Sequence, residues 1–255
     1  MSEVTGEKPV EKIKDAAQQA VKAETTSPPK RRYRTILFQL ALLAVTGSFA
    51  ILTFLVTTTP LFAIDIQITH TIQLINSPIF EAAMRLISWP GFSPQSFILS
   101  VLIVLLIYSF GLHWESVAAF VAALLPPLVN VLVKDLIRRP RPTMNLVHVF
   151  RILDSYSFPS GHVMFYVGFY GFIWFLVFTL LKRSVRRTIL LVFFGSWVVL
   201  IGISRIYLGQ HWASDVLGAY LLGSLTLVAI IQFYRWGRKR FFVHQPVAPP
   251  KPSDS

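Results

Sequence analysis

The chain is 255 residues long, 54% of them apolar and only 14% charged, and it carries a net charge of +12 with no cysteine. Soluble domains hold about 25% charged residues. The composition therefore argues against a soluble fold, and Lys and Arg set beside apolar runs speak for membrane-anchoring flanks rather than a nucleic-acid partner. Without cysteine, disulfides, thiolate metal sites and cysteine nucleophiles are excluded.

Residues 1–34 are polar and mixed in charge, end in TTSPPKRRYR, and read as a flexible cytoplasmic tail with a short helix in EKIKDAAQQAVKAE. Six apolar runs follow, at 35–56, 96–112, 116–136, 162–181, 188–204 and 215–233. Each approaches the ~20 residues that cross a hydrocarbon core about 30 Å thick. The second and fifth are short, and Pro126 and Pro127 predict a kink in the third. The first run is longer than a signal-peptide core and begins too late for one. Between the first two spans, Ile64, Ile68, Ile72 and Ile75 recur at helical spacing among Asp65, Gln67, His70 and Gln73. This predicts an interfacial amphipathic helix rather than a seventh span. Residues 236–255 read as a second cytoplasmic tail. The expected fold is all-α: a polytopic membrane protein of six transmembrane helices over 35–235, with an extracytoplasmic interfacial helical segment.

The basic flanks set the expected orientation. KRRYR, KRSVRR (182–187) and RWGRKR (235–240) each hold four Lys or Arg, and six spans with the amino terminus inside place all three on the cytoplasmic side. KDLIRRPRP (134–142) then faces outward with four basic residues, against the rule. An anionic ligand would account for them.

Two more polar segments share that outer side, SFPSGH (157–162) and SRIYLGQHWASD (204–215). Lys134 fits a snorkelling lysine as well as a phosphate ligand, and Arg138 and Arg139 fit interfacial anchors. Pro140 and Pro142 hold Arg141 in extended backbone, where its guanidinium can grip a phosphate. Ser160 is placed as an N-cap, Gly161 as a point of close ligand approach, and the helix start as an anion site. His162 there can give a proton to a departing oxygen. His211 and Asp215 are four apart, so a helix begun by His211 would set both on one face, the carboxylate fixing the imidazole tautomer for nucleophilic attack. Asp215 also suits a helix cap. Arg205 can reach the same anion, and a charged residue within a span costs about 2.5–3.5 kcal/mol on insertion scales, so it usually marks function. His70, His113, His148 and His244 have no such neighbours and read as interfacial or loop residues.

These segments resemble the signature of the type 2 phosphatidic acid phosphatase (PAP2) family, K-x6-R-P, P-S-G-H and S-R-x5-H-x3-D. Here they are Lys134 with Arg141-Pro142, Pro159-Ser160-Gly161-His162, and Ser204-Arg205 with His211 and Asp215. The resemblance implies a metal-independent lipid phosphate hydrolase that uses no cofactor. His211 would form a phosphohistidine, Asp215 would orient it, and His162 would protonate the leaving alkoxide and then activate water. Lys134, Arg141, Ser160, Gly161 and Arg205 would hold the phosphate, with Arg138 and Arg139 as additional headgroup contacts. Phosphatidate, phosphatidylglycerophosphate or a polyprenyl diphosphate would be the substrate, at the extracytoplasmic face. A phosphotransferase of the same family, or a non-catalytic lipid- or anion-binding membrane protein, are the alternatives. Oligomeric state is left open.

Overall fold

The structure, a computed structural model, describes residues 28–242. The expected short helix in the amino-terminal tail, His244 and the end of the carboxy-terminal tail lie outside the described residues. The chain divides into two units between Val45 and Thr46. Everything that builds the candidate site belongs to the second.

The described residues form helices and no strands. They are α1 (Pro28–Thr58), α2 (Ala63–Gln73), α3 (Pro78–Ser88), α4 (Gln95–Ser109), α5 (His113–Ile137), α6 (Gly161–Leu180), α7 (Val185–Tyr207) and α8 (Ala213–Phe242). Five of them are long and apolar enough to cross a membrane, and a sixth span is obtained when α3 and α4, bent by 63°, are joined. α4 alone has 15 residues, about 22 Å at 1.5 Å per residue. On α4, α5 and α7, outward-facing Phe97, Leu102, Leu105, Phe120, Leu128, Leu132, Val192 and Val199 are exposed, as a lipid-facing surface requires. The structure extends the expected elements at two points: α1 begins at Pro28, inside the stretch read as tail, and α8 continues past 233 through the basic run to Phe242.

α6 is the central helix, packed against α5, α7 and α8. Of its apolar stretch 67% is buried, against 33% in α5 and 28% in α7. α5 continues unbroken through Pro126 and Pro127. Opposite them α6 widens into a π turn at Tyr166–Tyr170, and Gly168 leaves the space that Pro126 fills, since a Cβ there would collide with the proline ring. Tyr166, Tyr170, Phe194 and Trp197 stack around that turn.

The segment between α1 and α4 corrects an expectation. Instead of one helix there are two, broken at 74–77, where Pro78 disfavours helical backbone at Ser77 and Ser77 caps α3 by accepting from Phe80 N at 3.4 Å; the second, α3, is the one that joins α4 in the bent sixth span. Ile68 and Ile72 pack onto the core while Ile64 and Ile75 are exposed. The polar residues are not one solvent face: Gln67 and His70 are exposed, but others turn inward. Asp65 and Thr69 are buried, His70 Nε2 lies 2.7 Å from the Leu146 carbonyl, and Gln73 donates to the carbonyls of His148 and Tyr207. They tie α2 to the loop before α6 and to the end of α7.

The strongest of these ties runs through Arg139. α5 ends with Arg138 in left-handed backbone (φ 53°), which leaves Arg138 exposed and turns Arg139 inward. Arg139 Nη2 donates to Asp65 Oδ2 at 2.9 Å, Nη1 to Asp215 Oδ1 at 2.6 Å and to Ser214 Oγ at 2.7 Å, and Nε to the Pro60 carbonyl at 2.8 Å. With every nitrogen engaged and the side chain buried, Arg139 is neither an interfacial anchor nor a headgroup contact. Its charge is needed inside, between two carboxylates. Replacing Arg139 with Met keeps the bulk and strands both acids, so stability should fall by about 3–5 kcal/mol. A thermal-melting series in detergent that showed Arg139→Met melting with the native chain would refute this account.

Candidate active site

Three segments meet at one end of the bundle. The first is the end of α5 and the loop after it. Lys134 stands in the last turn of α5, half-buried, and its ammonium makes no hydrogen bond among the described residues. Arg141, in irregular backbone between Pro140 and Pro142, donates from Nε to the Ser155 carbonyl (2.6 Å), from Nη2 to Ser155 Oγ (2.9 Å) and from Nη1 to the Gln210 carbonyl (2.6 Å).

The second segment opens α6. Ser160 occupies the N-cap position in extended backbone but makes no capping bond, and its Oγ is buried without a hydrogen-bond partner. At Gly161 a Cβ would meet Asn130 Oδ1 at 3.0 Å, so the missing side chain also makes room for helix packing. Asn130 itself donates to the Pro159 carbonyl at 2.9 Å and fixes the turn before α6. His162 is seated edge-on to Phe92, with ring centroids 4.5 Å apart, beside Gly91, where any Cβ would strike the imidazole.

The third segment joins α7 to α8. Arg205 is fully buried, lies 5.3 Å over the Phe92 ring, and donates from Nη1 to Ser88 Oγ at 3.2 Å. Ser88 in turn meets Ser204 Oγ at 2.6 Å, and Ser204 donates to the Met84 carbonyl. The chain then reverses at Gly209, where φ is +63° and the His148 carbonyl lies so close that no side chain would fit. The backbone N–H groups of Gln210 and His211 both return to the Arg205 carbonyl.

His211 is not yet on the helix, which starts at Ala213. The turn still delivers its Nδ1 to 3.5 Å from Asp215 Oδ2. The same carboxylate caps the start of α8: Oδ2 accepts from Trp212 N at 2.8 Å and from Ser157 Oγ, while Oδ1 accepts from Arg139. On the other side of the ring, Arg141 Nη1 lies 3.2 Å from His211 Nε2. A guanidinium can only donate, so Nε2 carries the lone pair and the ring proton is on Nδ1, toward Asp215. Burial, then the charges of Arg141, Lys134 and Arg205, hold His211 well below the ordinary 6.5. It is therefore a neutral imidazole at neutral pH, with its Nε2 electron pair turned toward Arg141.

Ser160 Oγ, His162 Nε2, Arg205 Nε and Nη2, His211 Nδ1 and Gln210 Oε1 are buried polar atoms without a hydrogen-bond partner among the described residues. Such atoms number a few per hundred residues in folded proteins. Here they gather from two motifs beside Lys134 and Arg141, and donors predominate, as an anion requires. Sequence reasoning missed Asp65, Ser88, Gly91, Phe92, Asn130 and Ser157. The turn-forming run SWPGFSPQ was the one local sign that the α3–α4 break is special.

Comparison with known proteins agrees with this geometry. Residues 115–239 match the PAP2 superfamily. A phosphatidylglycerophosphatase B of Bacillus subtilis is 32% identical over 197 residues, covering 76% of this chain and 94% of the relative. A protein of the same name from Haemophilus influenzae is 37% identical over 103 residues, 38% of this chain and 40% of its own. The crystal structure of a transmembrane PAP2 type phosphatidylglycerolphosphate phosphatase from Bacillus subtilis superposes with a TM-score of 0.67 at 29% identity, over 76% of this chain and 96% of that one. A chain whose helices and sequence agree with these relatives belongs to the PAP2 superfamily and is a multi-pass membrane lipid phosphatase.

Proposed function

We propose that the enzyme hydrolyses a phosphate monoester at the headgroup of a membrane lipid, by way of a phosphohistidine, on the extracytoplasmic side. The observation that carries the reading is the pair of imidazoles, His211 and His162, among cationic groups that have donors to spare. His211 Nε2 attacks phosphorus and the P–O bond to the lipid breaks. His162 gives its proton to the departing alkoxide. Water then attacks phosphorus, His162 takes its proton, and the P–N bond breaks to release inorganic phosphate and free His211. Arg205, Arg141, Lys134 and Ser160 offer donors to the equatorial oxygens, where charge builds in the transition state. Asp215 holds the His211 tautomer and stabilises the charge that develops on the ring.

The two phosphatidylglycerophosphatase relatives favour phosphatidylglycerophosphate as substrate over phosphatidate or a polyprenyl diphosphate. Orientation follows from charge. The basic runs 182–187 and 235–240 lie at the helix ends away from the motifs, so the positive-inside rule puts the site outside and both termini inside.

Purified protein should release phosphate from lipid phosphomonoesters with EDTA present. His211→Ala should lose at least about 10⁴-fold in kcat and His162→Ala about 10²–10⁴-fold; a His211→Ala enzyme of near-native rate would eliminate the covalent route. In ¹⁵N-histidine NMR spectra, His211 should titrate below the ordinary 6.5, and half-titration at or above 6.5 would contradict the electrostatics described. Because the chain has no cysteine of its own, Met144→Cys gives a clean label site, which membrane-impermeant maleimide should reach in intact cells. Labelling only after lysis would reverse the orientation.

A further inference from the structure

A cleft of about 280 Å³ opens beside the phosphate site, walled by Arg85, Phe92, Phe150, Arg151, Leu208 and Gln210. A second, of about 160 Å³, runs from Arg141 past Met144 and Ile152. Arg151 and Gln210 line both, so they stand where the two clefts meet, next to the nucleophile's own turn. Neither residue is explained by the hydrolytic chemistry.

Arg85 is already committed, paired with Glu81 at 2.6 Å and lying 5.2 Å over Phe150. Arg151 is not. Its guanidinium makes no hydrogen bond or ion pair among the described residues and rests 5.3 Å over the Phe92 ring. Arg205 lies at the same distance from that ring, so the two guanidinium carbons are separated by at most twice 5.3 Å. An anion held by Arg205 and one held by Arg151 are therefore near enough to belong to one molecule. Gln210 is 3% exposed, and its Oε1 has no partner in the protein. A buried amide oxygen accepts and cannot donate, so what completes it is a donor such as a hydroxyl.

We propose that Arg151 and Gln210 form a headgroup subsite for a leaving group that carries a second phosphate anion and a free hydroxyl. Arg151 takes the anion and Gln210 Oε1 the hydroxyl. The inference rests on the hydrolase reading above and narrows it. A phosphatidate leaves as a diacylglycerol with no second anion, and a polyprenyl diphosphate has the anion without the hydroxyl. A lipid whose two phosphates flank a glycerol bridge supplies both.

The test compares kcat/KM for phosphatidylglycerophosphate and for phosphatidate of the same acyl chains, in neutral detergent, with the full chain. Arg151 is exposed, so truncating it disturbs no packing. Arg151→Ala should lower the ratio of the two kcat/KM values by about 10- to 100-fold, as loss of a charge-assisted bond does, and Arg151→Lys should recover part of it. With the native enzyme, a phosphatidylglycerophosphate analogue bearing hydrogen in place of the bridging glycerol's free hydroxyl should fall about 5- to 10-fold in kcat/KM. A ratio that moves less than about threefold in Arg151→Ala overturns the subsite, including the case where both substrates weaken together because Arg151 binds anionic interface in general. Native protein that releases phosphate from neither lipid overturns the hydrolase reading itself, and the subsite with it.

Discussion

The site depends on where one guanidinium goes. Arg139 lies between Asp65 of α2 and Asp215 of α8, so a helix before the bundle, the loop after α5 and the start of the last helix are bound at a single buried point. An ion pair taken out of water gains little net stability, because desolvation costs nearly what attraction returns. What it supplies is position. Asp215 Oδ1 is anchored by Arg139, which leaves Oδ2 facing Ser157, Trp212 N and the His211 ring. Ser214, the residue before it, is fastened to Asp65 through both its backbone N–H and its hydroxyl. The carboxylate beside the His211 ring is thus held from behind before any substrate arrives.

Phe92 plays the corresponding part on the other imidazole. Its ring meets the His162 edge and lies under both Arg205 and Arg151. Cations over an aromatic face are attracted by its quadrupole even where they repel each other. The α3–α4 break that carries Phe92 also brings Ser88 to Arg205 and Gly91 to His162. What looks in sequence like a connection between spans is a wall of the site.

Much of this was legible in the sequence where the cause was local. Apolar runs of helical length gave the spans, and motif spacing gave Lys134, Arg141, Ser160, His162, Arg205, His211 and Asp215, which the fold does bring together. What was not legible came from partners distant in the chain. Arg139 looks like its neighbour Arg138 until Asp65, 74 residues away, is placed beside it. The same pairing explains why an acid among isoleucines points inward instead of toward water. Gly161 has a second role of the same kind: its missing side chain makes room for Asn130, and nothing near it in sequence says so. Gly168 and Pro126 accommodate each other across two helices, and neither alone predicts that α5 stays continuous.

The shortness of α4 has a consequence for the cleft as well as for the span. Its 15 residues cover about 22 Å where a bilayer offers about 30 Å of hydrocarbon. By length α4 therefore makes a span only when joined to α3, across the 63° bend between them. The amino-terminal end of α4 is also where Ser93 and Gln95 border the larger cleft. The break that lets two short helices share one crossing is thus the same break that opens the side of the cleft.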